Sequence, residues 1–92
     1  MNTFLTIGTV CLNDLINLKK TLKSIERLKY GAHFSVQLIV ADGGSTDGSL
    51  NFAKKSKTVD IVLEGPDRGI YHAMNKILDA ASGKFLIFMN AG

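Results

Sequence analysis

Apolar and polar residues follow two rhythms along this chain. Four short runs, Phe4–Val10, Val36–Ala41, Asp60–Glu64 and Phe85–Met89, are dominated by aliphatic, β-branched and aromatic residues and bounded by turn formers. Such runs predict strands. Between the first two, Leu15, Leu18, Leu22 and Ile25 recur at helical spacing with Lys19, Lys20 and Lys23 among them. This predicts a helix from Asp14 to about Leu28, with Asn13 as N-cap and Gly31 as C-cap. A shorter helix is predicted from Gly48 to about Lys55. A third is predicted from Ile70 to Ala81, its apolar stripe made by Ile70, Ala73, Met74, Ile77 and Ala81, with Gly83 ending it.

Strand and helix alternate three times, so the order is βαβαβαβ. That order implies an α/β, Rossmann-like fold, with a mainly parallel sheet joined by right-handed crossovers. Strands apolar at every position are expected to be buried on both faces. In a parallel sheet all C-terminal tips share one edge. Thr9, Val10, Asp42, Asp67, Arg68 and Asn90 are therefore expected along one crevice, where open parallel sheets bind ligands.

The 92 residues suffice for one small domain, 1–92. No apolar run approaches the roughly 20 residues of a membrane span. Met1–Leu5 lacks the basic and apolar regions of a signal peptide. With a single cysteine, Cys11, no internal disulfide can form. A reducing, cytoplasmic compartment is expected, with Cys11 a small buried hydrophobe. The net charge of +3 comes from 11 basic and 8 acidic side chains, and the excess sits before Ser35. A solvated helix face accounts for it, and attraction to an acidic membrane surface is the weaker alternative. The bases are not interleaved with aromatics, which argues against nucleic acid as a partner.

The chemistry concentrates in Leu38–Ser49. There an apolar run ends in Asp42, two glycines follow, and Ser45, Thr46 and Asp47 come next. This reads as strand, tight loop and helix start, with Asp47 as a cap. A carboxylate at the strand tip could accept a hydrogen bond from a ligand, such as the imide N–H of a uracil ring. Asp42→Ala is then expected to weaken binding with little effect on stability. No G-x-G-x-x-G follows the first strand, and Gly43-Gly44-Ser45-Thr46 does not continue as a P-loop. No Ser/His/Asp nucleophile arrangement is visible. His33 and His72 lack metal-ligand spacing. What is left, helix N-termini, glycine turns and Arg68, suits a phosphorylated ligand.

Three blocks together resemble the N-terminal half of the inverting family 2 glycosyltransferases of the GT-A fold. They are Thr6–Asn13 with Leu18–Ile25, Ile39–Ser49, and Gly65–Lys76, followed by Ala81–Gly92. The resemblance is greatest to bacterial enzymes of capsular and exopolysaccharide synthesis. It implies that Thr9 and Val10 line the base pocket of a nucleotide-sugar and that Asp42 binds the base, uracil first among the candidates. Asp67 and Arg68 match the loop that closes over base and phosphates. Asn90 matches the approach to the family's Asp-x-Asp motif, which holds Mg²⁺ or Mn²⁺ on the diphosphate. The metal-binding aspartate itself is expected just after Gly92, and no catalytic residue is expected within these residues.

The resemblance thus implies a truncated donor-binding domain of an enzyme that transfers sugar, with inversion, from a nucleotide-sugar to a glycan or lipid-linked acceptor. Such an enzyme would be cytoplasmic or peripheral at the inner face of the membrane. The alternative is a non-catalytic nucleotide-binding or interaction module that keeps the fold. A homo-oligomer through the apolar C-terminal strand is also expected, since an exposed edge is a template for pairing.

Overall fold

The computed structural model of the chain describes residues 3–66 and 69–89. Its elements are β1 (Leu5–Cys11), α1 (Leu15–Gly31), β2 (Val36–Asp42), α2 (Ser49–Lys55), β3 (Ile61–Glu64), α3 (Ile70–Ala80) and β4 (Phe85–Phe88). The strands form one sheet in the order β3-β2-β1-β4, and every pairing is parallel. The first two crossovers step away from β1 on one side, and the third returns to its other side. The strand order therefore reverses at β1, which makes the C-terminal ends of β1 and β4 the topological switch point, a natural ligand crevice.

Alternation along the central strands divides the core in two. Ile7, Cys11, Leu38 and Val40 pack with Leu18, Leu22 and Ile25 of α1 and Ala53 of α2. Ile39 and Ala41 face the other way and pack with Ala73 and Ile77 of α3. Gly8 lets α3 lie close to the sheet, because a Cβ there would stand 2.6 Å from Ile77 Cγ2. Gly83 serves the chain's return into β4. Its N–H donates to Thr6 Oγ1 at 2.9 Å, and a Cβ would meet the Thr6 backbone nitrogen at 2.6 Å.

Three details differ from the sequence-based expectations. First, α1 runs on through Gly31 and leaves by an extended Ala32, whose N–H bonds the Leu28 carbonyl. Gly31 is thus the last helical residue and not a left-handed cap. Second, α3 ends at Ala80, with Ala81 extended, before Gly83 is reached. Third, burial on both faces holds for β1 and β2 only. The helices cover the middle of the sheet, so β3 stays half-buried, while β4, whose edge was expected to be exposed, leaves Phe85, Ile87 and Phe88 exposed. Phe85 and Phe34 both pack edge-on or tilted against Phe4, with ring centroids 5.2 and 4.9 Å away.

Candidate functional site

The site is built where β1 and β2 end side by side, Cys11 opposite Asp42. The ladder continues one step further, with the Gly43 N–H donating to the Cys11 carbonyl at 3.0 Å. The chain then turns, with Gly44 in the left-handed region at φ +104°. The Asp42 side chain holds this turn. Its Oδ2 accepts the N–H groups of Gly44 at 3.0 Å and Ser45 at 2.8 Å, and its Oδ1 accepts the Ser45 hydroxyl at 2.6 Å. A carboxylate that is 1% exposed is thereby compensated within its own loop, as an Asx-type turn allows.

The same loop is laced to the one that follows β1. Asn13 has a positive φ of 49°, a conformation Asn tolerates better than most residues. Its N–H donates to Ser45 Oγ at 2.9 Å, and its Oδ1 accepts the Thr46 N–H at 2.7 Å. Ser45 Oγ accepts from Asn13 while donating to Asp42, so one hydroxyl links both loops. Asp47 completes the join. Its Oδ1 accepts the N–H and hydroxyl of Ser49 at 3.0 and 2.6 Å, and its Oδ2 accepts the N–H of Leu15 at 3.1 Å. One carboxylate therefore serves the first turns of both α1 and α2. These bonds, the Ser49 hydroxyl foremost, hold Asp47 below the usual carboxylate pKa.

The cap expected at Asn13 is overturned by this geometry. Asp14 occupies the N-cap position of α1 without a side-chain cap bond, and its carboxylate accepts the Asn17 amide at 3.0 and 3.1 Å. The Asn13 side chain instead crosses to the second loop. The cap expected at Asp47 is shifted by one residue: Gly48 occupies the N-cap position of α2, and Asp47, just before it, bonds the first residue of α2 and, in addition, of α1.

A cavity of about 240 Å³ opens beside the laced loops, lined by Val10, Cys11, Leu12, Gly43, Gly69 and Ile70. Its walls are aliphatic side chains and glycine backbone, suited to a flat ring with polar edges turned to main-chain groups. Of the residues singled out from sequence, Val10 lines this cavity directly. Thr9 is fully buried one position back, and its Oγ1 has no hydrogen-bond partner among the described residues. Asp42 borders the site through Gly43, its carboxylate turned into the loop. Asp67, Arg68 and Asn90 lie outside the described residues, as do Ala91 and Gly92. Cys11 is buried, and burial pushes its thiol pKa up from 9.0, which removes it as a nucleophile. Among the described residues no three His, Cys, Asp or Glu side chains come together to hold a metal ion. The described residues alone therefore do not fit a metal centre.

Sequence reasoning missed the coupling of the loops. Asn13, Ser45 and Asp47 each carry a local turn or cap signal, but nothing local shows that they bond residues more than thirty positions away.

Residues 6–91 match the family described as glycosyl transferase family 2. A PGL/p-HBAD biosynthesis glycosyltransferase of Mycobacterium tuberculosis is 37% identical over 84 residues, covering 87% of this chain and 32% of that protein. Glycosyltransferase AglE of Haloferax volcanii is 26% identical over 91 residues, covering 95% of this chain and 30% of its own. This chain spans about a third of the length of these relatives. Glucosyl-3-phosphoglycerate synthase of M. tuberculosis, solved with Mn²⁺, UDP and glucosyl-3-phosphoglycerate, superposes with a TM-score of 0.76 at 26% identity, over 97% of this chain and 33% of that one. The mannosyltransferase PcManGT of Pyrobaculum calidifontis, in complex with GDP-Man and Mn²⁺, has the same fold, with a TM-score of 0.76 at 22% identity over 99% of this chain and 28% of that one. With the four-stranded parallel sheet and the match along nearly its whole length, the chain belongs to glycosyl transferase family 2.

Proposed function

We propose that this chain is the donor-binding portion of a glycosyltransferase that moves a sugar from a nucleotide-sugar, a UDP-sugar first, to a glycan or lipid-linked acceptor with inversion. The observation that carries the reading is the laced pair of loops at the C-terminal ends of β1 and β2 in a family 2 sheet, with the aliphatic cavity beside it. The base would enter between Leu12 and Ile70, against Val10 and the backbone of Gly43 and Gly69. Thr9 lies beneath it. Asp42 would act on the base from the floor of the loop, and Asp67 and Arg68 would close over base and diphosphate. UDP and Mn²⁺ in the glucosyl-3-phosphoglycerate synthase complex support this choice of donor.

A divalent cation, Mg²⁺ or Mn²⁺, would offset diphosphate charge when bound. Its ligands would have to come from outside the described residues, next to Asn90. The residues in hand orient the base and exclude water from it. Activation of the acceptor hydroxyl and the acceptor site belong, on this reading, to protein beyond these 92 residues, so the isolated chain binds without transferring. The compartment on this reading is the cytoplasm. The exposed edge of β4 supports self-association through that strand. Light scattering that gives a monomer at every dilution would refute that part alone.

The test is calorimetric titration with UDP-, GDP- and dTDP-sugars, with and without Mg²⁺ or Mn²⁺. Saturable binding of one nucleotide class is expected. The absence of any nucleotide binding would leave the alternative, a family 2 fold retained as an interaction module.

A further inference from the structure

α1 and α2 lie on the same face of the sheet, and their outer sides make one basic surface. α1 buries Leu18, Leu22 and Ile25. At 3.6 residues per turn the opposite side carries Ile16, Lys20, Lys23 and Arg27, flanked by Lys19 and Tyr30, and all six are exposed. Lys57, after α2, meets this stripe across a groove of about 310 Å³ that it shares with Glu26 and Tyr30. A second groove, of about 460 Å³, runs between Lys19, Lys20 and Lys23 on α1 and Phe52 on α2, with Lys19 Nζ 5.4 Å from the centre of the Phe52 ring.

Five cations, Lys19, Lys20, Lys23, Arg27 and Lys57, stand there against a single acid, Glu26. The nearby Lys29 is already paired with Asp60 at 2.7 Å. This one face carries more positive charge than the +3 of the whole chain, so the rest of the molecule is slightly acidic. Lys20, Lys23 and Arg27 have no ion-pair partner among the described residues. Among the cations stand two side chains ill suited to water, Ile16 at 71% and Tyr30 at 83% exposure. Cations spread along a straight stripe with an aliphatic and an aromatic residue between them fit a layer of anionic headgroups over an apolar interior. A nucleic-acid strand would use repeated aromatic stacking platforms, and Ile16 would have no partner on one.

We propose that the outer face of α1, joined by Lys57, seats this protein on an anionic bilayer surface, the five cations on headgroup charges and Ile16 and Tyr30 entering the headgroup layer. α1 would lie along the membrane, leaving the strand-tip edge and its cavity accessible at the side. This inference is independent of the nucleotide reading.

The test is co-sedimentation with vesicles of phosphatidylcholine alone or mixed with phosphatidylglycerol. Binding to the mixed vesicles only is expected, weakening as salt is raised. Each cation lost near a charged bilayer costs about fivefold in partitioning. The triple variant Lys20→Gln, Lys23→Gln, Arg27→Gln should therefore bind about 100-fold more weakly, whereas Lys76→Gln with Lys84→Gln should stay within a few-fold of wild type. Ile16→Ser should weaken binding at unchanged charge. The substituted positions are exposed except Lys76, which is half-buried, and circular dichroism checks that each variant is folded. The proposal is overturned if folded wild type ignores the anionic vesicles at low salt. It is equally overturned if both charge variants lose binding alike, or if duplex DNA or RNA is bound while vesicles are not.

Discussion

Replacing Asp42 with alanine should destabilise the fold well beyond the small effect the sequence suggested. The substitution removes a buried carboxylate that accepts three hydrogen bonds, two from backbone N–H groups and one from the Ser45 hydroxyl. A donor left unsatisfied in a buried setting costs about 1–3 kcal/mol. Gly44 is exposed and Ser45 half-buried, so water can replace part of what is lost, and the Ser45 hydroxyl can rotate. The charge itself no longer has to be desolvated. These terms together leave a net loss of about 2–4 kcal/mol. A domain of this size holds about 5–14 kcal/mol in total. At about 4–8 °C per kcal/mol, the midpoint of thermal unfolding should fall by about 10–25 °C. Urea unfolding followed by circular dichroism would show a lower midpoint at an unchanged slope. Asp42→Asn keeps one acceptor oxygen and the side-chain shape, so it should recover part of the loss. If Asp42→Ala costs under about 0.5 kcal/mol, a value typical of unremarkable surface positions, the assigned role of the carboxylate in the turn is wrong. In Asp42→Asn, which is expected to fold, nucleotide affinity reports separately on the base. A carboxylate that also meets the base should cost about 1.5–3 kcal/mol of binding when neutralised.

Three further outcomes follow from the same geometry. Asp47 titrates below its ordinary value of 3.8, so its stabilisation is fully present above that pH and is lost as pH falls through the lower folded-state value. Asp47→Asn should flatten that acid limb in urea midpoints measured across pH 2–5, the range flanking the roughly 3.9 of a free Asp, and an unchanged limb would contradict the double cap. Cys11, buried and raised in pKa, should resist a thiol-reactive disulfide reagent in the native protein and react only on unfolding; prompt native labelling would place it elsewhere. Gly83→Ala should cost about 1–3 kcal/mol, because the new methyl meets the Thr6 backbone rather than a movable side chain; a neutral effect by thermal denaturation would show that β4 can shift away.

The alternation of strands and helices was legible because burial dictates rhythm. β1 and β2 are covered on both faces and read as continuous apolar runs, whereas α1 and α3 bury one stripe each. Composition shows that a segment wants cover, not whether it receives it; for Phe85–Phe88 it was the order of elements that pointed to an exposed edge, and Phe85, Ile87 and Phe88 are exposed there. The cost of a charge at Asp42 was also legible, and its compensation was within reach, since Asp-Gly-Gly-Ser is a sequence that turns back onto its own carboxylate. Asn13 was different in kind. Cap preference describes a residue and the few that follow it, whereas the partners of Asn13 arrive only after β2 has paired with β1 in register. The register sets Cys11 beside Asp42, and that places Asn13 within reach of Ser45 and Thr46, and Leu15 within reach of Asp47. The floor of the candidate pocket is therefore a consequence of strand pairing. A substitution that slips β1 against β2 would dismantle the site even with every loop residue in place, because a one-residue shift turns each side chain to the opposite face.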